Sequence, residues 1–250
     1  MNAIIASDLH IGSRYFQSQT FDGFLENLPN DHELILNGDI IDSPYAKMKP
    51  SHQRILDRLE QLSYRQKVVW IRGNHDNGYL PKNSGKIDFR RLYTIGNQLL
   101  ITHGDDFDDV LPRSRLFMIV FKMMHELRVK MGARPVHVAE YAKNWEVLYR
   151  VLRKSVMINA VNFAIENGFK AVTCGHTHYA EDRIYCGVRY INTGAWTEFP
   201  AHYLQVRSDD MMLNRVENSS VVKGMQSPIS NKVSTTIRFN KNHFGPHISP

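Results

Sequence analysis

The sequence predicts an α/β fold, a core of alternating strands and helices with a second sheet beside it. Three observations predict it. Short β-rich runs at Ala3–Ser7, Glu33–Asn37, Val68–Arg72, Gln98–Thr102 and Lys170–Cys174 alternate with helical patterns. After Cys174 the rhythm changes to closely spaced short strands separated by turn residues. Each of the five early runs is also followed at once by a loop of Gly, Asp, Asn and His residues, where open α/β sheets carry their binding loops.

Between the second and third runs, Ser51 is the expected N-cap of a helix. It carries Ile55, Leu56, Leu59 and Leu62 at three- and four-residue spacing and ends before Lys67. Residues 113–160 interrupt the alternation. Leu116, Val120, Met123, Met124, Leu127 and Met131 mark one helix, Gly132–Pro135 a break, and a second helix follows. This predicts a helical hairpin inserted between two core strands, a candidate lid. A helix from about Trp145 to Asn167 has Gly168 as its C′ residue. The runs Arg183–Tyr185, Val188–Asn192, Tyr203–Arg207 and Met211–Val216 predict hairpins of the second sheet. One domain is expected over 1–217, followed by a polar, Ser-rich extension over 218–250. Its stretch Val233–Phe239 could add an edge strand, and its extreme C-terminus is expected to be mobile.

Composition excludes several classes. With 42% apolar and 22% charged residues the chain is neither disordered nor fibrous. Two cysteines, Cys174 and Cys186, both in apolar sequence surroundings, exclude a disulfide scaffold and point to a reducing cytoplasm. The N-terminus lacks a basic n-region and does not read as a signal peptide. The longest strongly apolar run, Leu116–Phe121, is far too short to span a bilayer. The net charge of +6 is local: residues 113–160 hold ten Lys or Arg against three Glu, so the remainder sums to about −1. That segment predicts either contact with something anionic or a solvated helical face.

The chemistry-bearing residues follow the strands. They read Asp8-Leu9-His10, Gly38-Asp39-Ile40-Ile41-Asp42, Gly73-Asn74-His75-Asp76, His103-Gly104-Asp105 and Gly175-His176-Thr177-His178. Carboxylate, imidazole and one amide oxygen suit Mn, Fe, Zn, Co or Ni, whereas an all-oxygen set would suggest Mg or Ca. So many ligand types in one place call for two cations. In Asp8-x-His10 and His176-x-His178 the i, i+2 spacing points both side chains the same way along an extended segment. His125-Glu126 does not begin a metalloprotease helix, since Val129 stands where the second His would be.

These five ordered blocks resemble the calcineurin-like dimetal phosphoesterases, over residues 8–178. The resemblance implies a two-sheet β-sandwich flanked by helices. It implies one metal held by Asp8, His10, Asp39 and His178 and a second held by Asp39, Asn74, His103 and His176, with Asp39 bridging. Manganese is the first expectation for the two ions, with Fe, Zn, Co or Ni as the alternatives. His75 matches the catalytic histidine and Asp42 the carboxylate that orients it, for in-line attack on phosphorus.

For the substrate, the insertion after His103 is similar to that of the UDP-2,3-diacylglucosamine diphosphatases of lipid A biosynthesis, which cleave a pyrophosphate to a lipid monophosphate and UMP. The likeness departs at His75, where the best-known members of that branch carry Arg. It implies a cytoplasmic protein peripheral to the inner membrane, held by the basic, apolar insertion. A nuclease or cyclic-nucleotide phosphodiesterase is the alternative, and a non-catalytic scaffold the third. Ser43-Pro44 after Asp42 argues against the protein phosphatase branch, which carries Arg there.

Overall fold

Apolar runs that alternate sides build two sheets with three apolar layers. The computed structural model describes residues 1–110, 115–143, 146–208 and 210–216. In chain order the elements are β1 (Ala3–Ala6), α1 (Ser18–Glu26), β2 (Glu33–Asn37), α2 (Pro50–Leu62), β3 (Val68–Ile71), β4 (Asp88–Arg90), β5 (Leu92–Ile95) and β6 (Leu99–Thr102). After a 3-10 turn at Asp105–Phe107 come α3 (Arg115–Lys130), α4 (Val138–Ala142), α5 (Glu146–Glu166), β7 (Ala171–Cys174), β8 (Glu181–Tyr185), β9 (Val188–Asn192), β10 (His202–Arg207) and β11 (Asp210–Arg215). The first sheet has the order β11-β10-β1-β2-β3-β4 and the second β5-β6-β7-β9-β8. Strands β1 to β4 run parallel, as do β6, β7 and β9, while β10, β11, β5 and β8 add antiparallel pairs at the flanks.

The central strands are buried on both faces, which is why they read as unbroken apolar runs. Ala3, Ile5, Ile35, Val69, Ile71, Leu99 and Ile101 fill the space between the sheets. Their neighbours Ile4, Leu34, Leu36, Val68 and Trp70 turn outward to α1 and α2, meeting Phe21, Ile55 and Leu59. On the far side of the second sheet Leu100, Val172 and Tyr190 pack on Met157, Ala160, Val161 and Ala164 of α5. Each such aliphatic side chain contributes about 1.5–3 kcal/mol on burial.

The structure corrects several expectations. Ser51 is not the N-cap of α2; that position falls two residues earlier, at Lys49, and the helix starts at Pro50 with no side-chain cap. Proline's fixed φ suits the first helical turn, where its missing N–H costs nothing. The inserted segment comprises α3, α4 and α5 between β6 and β7, and the C-terminal half of α5 belongs to the core rather than to a lid. Cys174 is buried but Cys186 is exposed. It forms with Gly187 the two-residue turn between β8 and β9, both at positive φ (48° and 80°), as the right-handed strand twist favours. Strands β10 and β11, expected in the second sheet, join β1 in the first, while β6 and β7, expected with the early strands, belong to the second; α1, β4 and β5 are elements the sequence pattern does not announce. The side chains of residues 115–122, which include Leu116 and Val120 of the expected apolar stripe, lie outside the described residues, as do Val233–Phe239 and the extension from 217. Among the described residues no helix is long and apolar enough to cross a membrane.

Candidate metal centre

The loops leaving β1, β2, β3, β6 and β7 converge across the two sheets. A buried polar seam joins the sheets just beneath them. The Asn37 amide donates to the Thr102 carbonyl at 3.0 Å, and the hydroxyls of Ser7 and Thr193 meet at 2.6 Å. Above it, ligand atoms of Asp8, His10 and His178 lie within 4.8 Å of one another, and those of Asp39, His103 and His176 do the same. His10 and Asp39 fall together with His75 in a third such group, so the first two adjoin. The structure thus brings together six of the seven residues expected as ligands, in two adjoining groups, with Asp39 in the group of His103 and His176 and outside that of Asp8 and His178. His178 Nε2 is 3.2 Å from Asp8 Oδ1 and 3.1 Å from His10 Nε2, and His103 Nε2 is 3.2 Å from Asp39 Oδ2.

Backbone geometry makes this crowding possible. Asp8, His10, Asp39, His176 and His178 all have positive φ, between 50° and 62°. For residues with a Cβ this costs of order 1 kcal/mol or more each and persists only where surroundings enforce it. Neighbouring glycines clear the room. A Cβ on Gly175 would stand 2.2 Å from Asp8 Oδ2, and one on Gly73 would stand 2.3 Å from Asp39 Oδ1. The glycines of the motif blocks therefore serve close approach, not only sharp turning.

The donor set fits divalent cations. Among the described residues the buried His10 Nδ1, His103 Nε2 and His178 Nδ1 make no well-aligned hydrogen bond, although carboxylates of Asp42 and Asp39 lie 3.4 Å and 3.2 Å from the first two; His103 Nε2 and Asp39 Oδ2 face one another where a cation would satisfy both. Burial pushes His10 down to about 3, keeping it neutral, the form that binds metal. Burial works to raise Asp8 and Asp39, but the imidazoles of His178 and His103 outweigh it and hold both carboxyls below their ordinary range. Burial likewise opposes a proton on His103, yet Asp39 beside it holds its affinity for a proton well above the ordinary value. A divalent cation would compete with that proton for the same two groups. The Nδ1 of His103 donates to the Asn37 carbonyl at 3.1 Å, which aims Nε2 into the cluster.

The seventh expected ligand, Asn74, is exposed, beside His75, whose backbone N–H donates to Asp39 Oδ1 at 2.8 Å. Asp42 departs from expectation in its route. His75 Nδ1 bonds the Asp42 backbone carbonyl at 2.7 Å, while the Asp42 carboxylate turns to His10 Nδ1 at 3.4 Å and His137 Nε2 at 3.7 Å. The carboxylate is held there by two imidazoles, which leaves the main chain to orient His75.

Three further residues join the site, of which Asp76 stands in the motif blocks without an assigned role. Asp108 accepts from His176 Nε2 at 3.0 Å and is only 7% exposed, so it sits against the second group. Its signal was a carboxylate five residues after His103. His137, from the inserted segment, stacks on His178 with 5.5 Å between ring centroids and joins His10 and Asp42 in a fourth cluster. Nothing in its local sequence marks it, because the contact exists only once the insertion folds over the strand ends. Asp76 is buried and pushed up to about 6, first by burial and then by the nearby Asp39 charge. Its oxygens accept from the N–H groups of Ile41 at 2.9 Å and Gly73 at 3.0 Å, tying two site loops together. Asp76→Ala should lower unfolding stability by about 1–3 kcal/mol for each orphaned donor, read by urea denaturation.

The family model for calcineurin-like phosphoesterases matches residues 1–180. The chain belongs to that family. As a calcineurin-like phosphoesterase it is a metal-dependent phosphoester hydrolase, and the two mixed sheets with flanking helices are the fold of that family. No curated protein matches the chain. Among solved structures it is similar to Yfce, a phosphoesterase from E. coli, at 14% identity and a TM-score of 0.44, over 87% of this chain and 100% of that one. The Pseudomonas putida nuclease MPE is similar at 16% identity and a TM-score of 0.40, over 85% of this chain and 87% of that one. A predicted phosphoesterase of Streptococcus pneumoniae stands at 15% identity and 0.38, over 86% and 87%. Likeness at this level carries no argument about the substrate of this calcineurin-like phosphoesterase.

Proposed function

We propose that the chain hydrolyses the pyrophosphate of UDP-2,3-diacylglucosamine, or of a related lipid or sugar nucleotide, with two divalent ions, manganese first among them, held by Asp8, His10, Asp39, Asn74, His103, His176 and His178. The observation that carries the substrate reading is a cavity of about 570 Å³ that opens from His75 and Asp42 toward the inserted segment. Its wall combines the cations Arg14 and Lys130, the ring of Tyr15, and the apolar Val129, Val136 and Val138. Anionic and apolar portions of one substrate can both be met there, beside the group assigned to the leaving oxygen. On this reading the basic, apolar insertion would also rest against an anionic membrane surface.

The residues divide the work as follows. Divalent cations supply Lewis-acid stabilisation of phosphoryl charge and activation of water. Asp39, within reach of both groups, aligns them. The Asp42 carbonyl can only accept, so His75 Nδ1 carries the hydrogen of their 2.7 Å bond; with a second proton on Nε2 the imidazolium would hand that proton to the leaving oxygen and return to the neutral Nδ1–H form. Arg14 and Lys130 are placed to hold the anionic remainder of the substrate.

The test is a panel of UDP-2,3-diacylglucosamine, UDP-N-acetylglucosamine, cyclic nucleotides, single-stranded DNA and bis-p-nitrophenyl phosphate, with manganese-loaded and metal-stripped protein. Metal-dependent preference for the acylated UDP-sugar is expected. Preference for DNA or a cyclic nucleotide would move the assignment to a nuclease or phosphodiesterase, and no turnover of anything with metal bound would leave a scaffold.

A further inference from the structure

The turn that carries His176 and His178 is held in shape by hydrogen bonds to its carbonyls. Asn192 Nδ2 donates to the Gly175 carbonyl at 2.6 Å from within the second sheet. The other two side-chain donors come from the insertion. The Tyr149 hydroxyl, on α5, donates to the Thr177 carbonyl at 2.6 Å. Lys143, at the end of α4, donates through Nζ to the His178 carbonyl at 2.7 Å and to Glu198 Oε2 at 2.6 Å.

Neither donor is a loose surface contact. Tyr149 is 9% exposed, and its lysine counterpart shows 24% of its side chain with the Glu198 carboxylate at 18%. Burial drives the Tyr149 hydroxyl far up, so it stays a donor at any ordinary pH. One turn of α5 further on, Arg153 pairs with Glu181 at 2.8 Å just beyond the turn, fixing where α5 meets it. The turn needs such restraint, because His176 and His178 sit at φ of 62° and 54°, a backbone that β-carbon residues leave unless held. A side chain's aim follows its backbone, so a carbonyl that swings free takes its imidazole with it.

We propose that Lys143 and Tyr149 are positioning residues of the metal centre, through which the insertion holds the His176–Thr177–His178 turn in its ligating shape. The insertion is then part of the centre's framework as well as a wall of the cavity. This rests on the reading of His176 and His178 as ligands, and the experiment separates the two.

Full-length protein stripped of metal is titrated with Mn2+ by calorimetry, as wild type, His178→Ala, Lys143→Met, Tyr149→Phe and Lys143→Arg, and each metal-free form is melted alongside. Lys143→Met and Tyr149→Phe should each weaken Mn2+ binding about 10- to 100-fold, the usual effect of losing a group that orients a ligand. Lys143→Arg, which keeps a cationic donor, should recover most of the affinity. Wild-type affinity in both variants with a lowered melting temperature would overturn the proposal, since that is what mere packing gives. Wild-type affinity in His178→Ala, or no Mn2+ binding by wild type, would overturn the ligand reading beneath it. Tyr149→Phe removes one oxygen and keeps the ring, so it decides the matter even if Lys143→Met does not fold.

Discussion

Asp39→Ala should strip both cations and abolish hydrolysis, because among the described residues Asp39 is the carboxylate grouped with His10 on one side and with His103 and His176 on the other. Asp39 Oδ2 stands 3.2 Å from His103 Nε2, Oδ1 accepts the His75 N–H at 2.8 Å, and the residue shares one grouping with His10 and another with His176. Metal affinity should fall by more than the ~10- to 100-fold that loss of an outer partner costs. Metal content after gel filtration reads it directly. Retention of both ions would contradict the bridging position.

His75→Ala should do the opposite to the two observables. Turnover is expected to fall by ~10²- to 10⁴-fold, the range for a lost general acid, while metal content stays at the wild-type level. The loss should depend on the leaving group. A p-nitrophenolate departs without a proton, so the aryl ester should suffer least and an alkyl or sugar ester most. An equal loss on both would remove the proton-delivery role, and full activity would remove His75 from the mechanism.

What was readable in the sequence was local in origin. A strand buried on both faces leaves an apolar run, and Ile35 facing one layer while Leu34 and Leu36 face the other is that pattern in space. The candidate ligands were readable for the same reason, each lying within a few residues of a strand end. What was hidden depends on distant chain segments. His137 reaches His178 only through the folded insertion, and Asp42 meets His75 with its carbonyl because His10 and His137 engage its carboxylate. Strand β4, Asp88–Arg90, carries no apolar alternation of its own and is recruited by pairing with β3. The Lys143 and Tyr149 contacts were invisible for a further reason: their acceptors are carbonyls, which every residue has.

The pairing of His10 with His178 spans 168 positions of chain. A nascent polypeptide that has emerged only as far as His103, just past β6, owns Asp8, His10, Asp39 and His103 yet lacks the strand that seats His176 and His178, so neither cluster is complete until β7 docks. Contacts of such separation form late, after the entropy of closing a long loop has been met. An unfolded chain offers a cation little beyond the local pairs Asp8-x-His10 and His176-x-His178. Occupancy would therefore favour the finished topology over every partial one, by an amount that grows with the logarithm of free ion concentration. In a cell, ion supply would then set how much newly made chain reaches maturity, before any question of turnover arises.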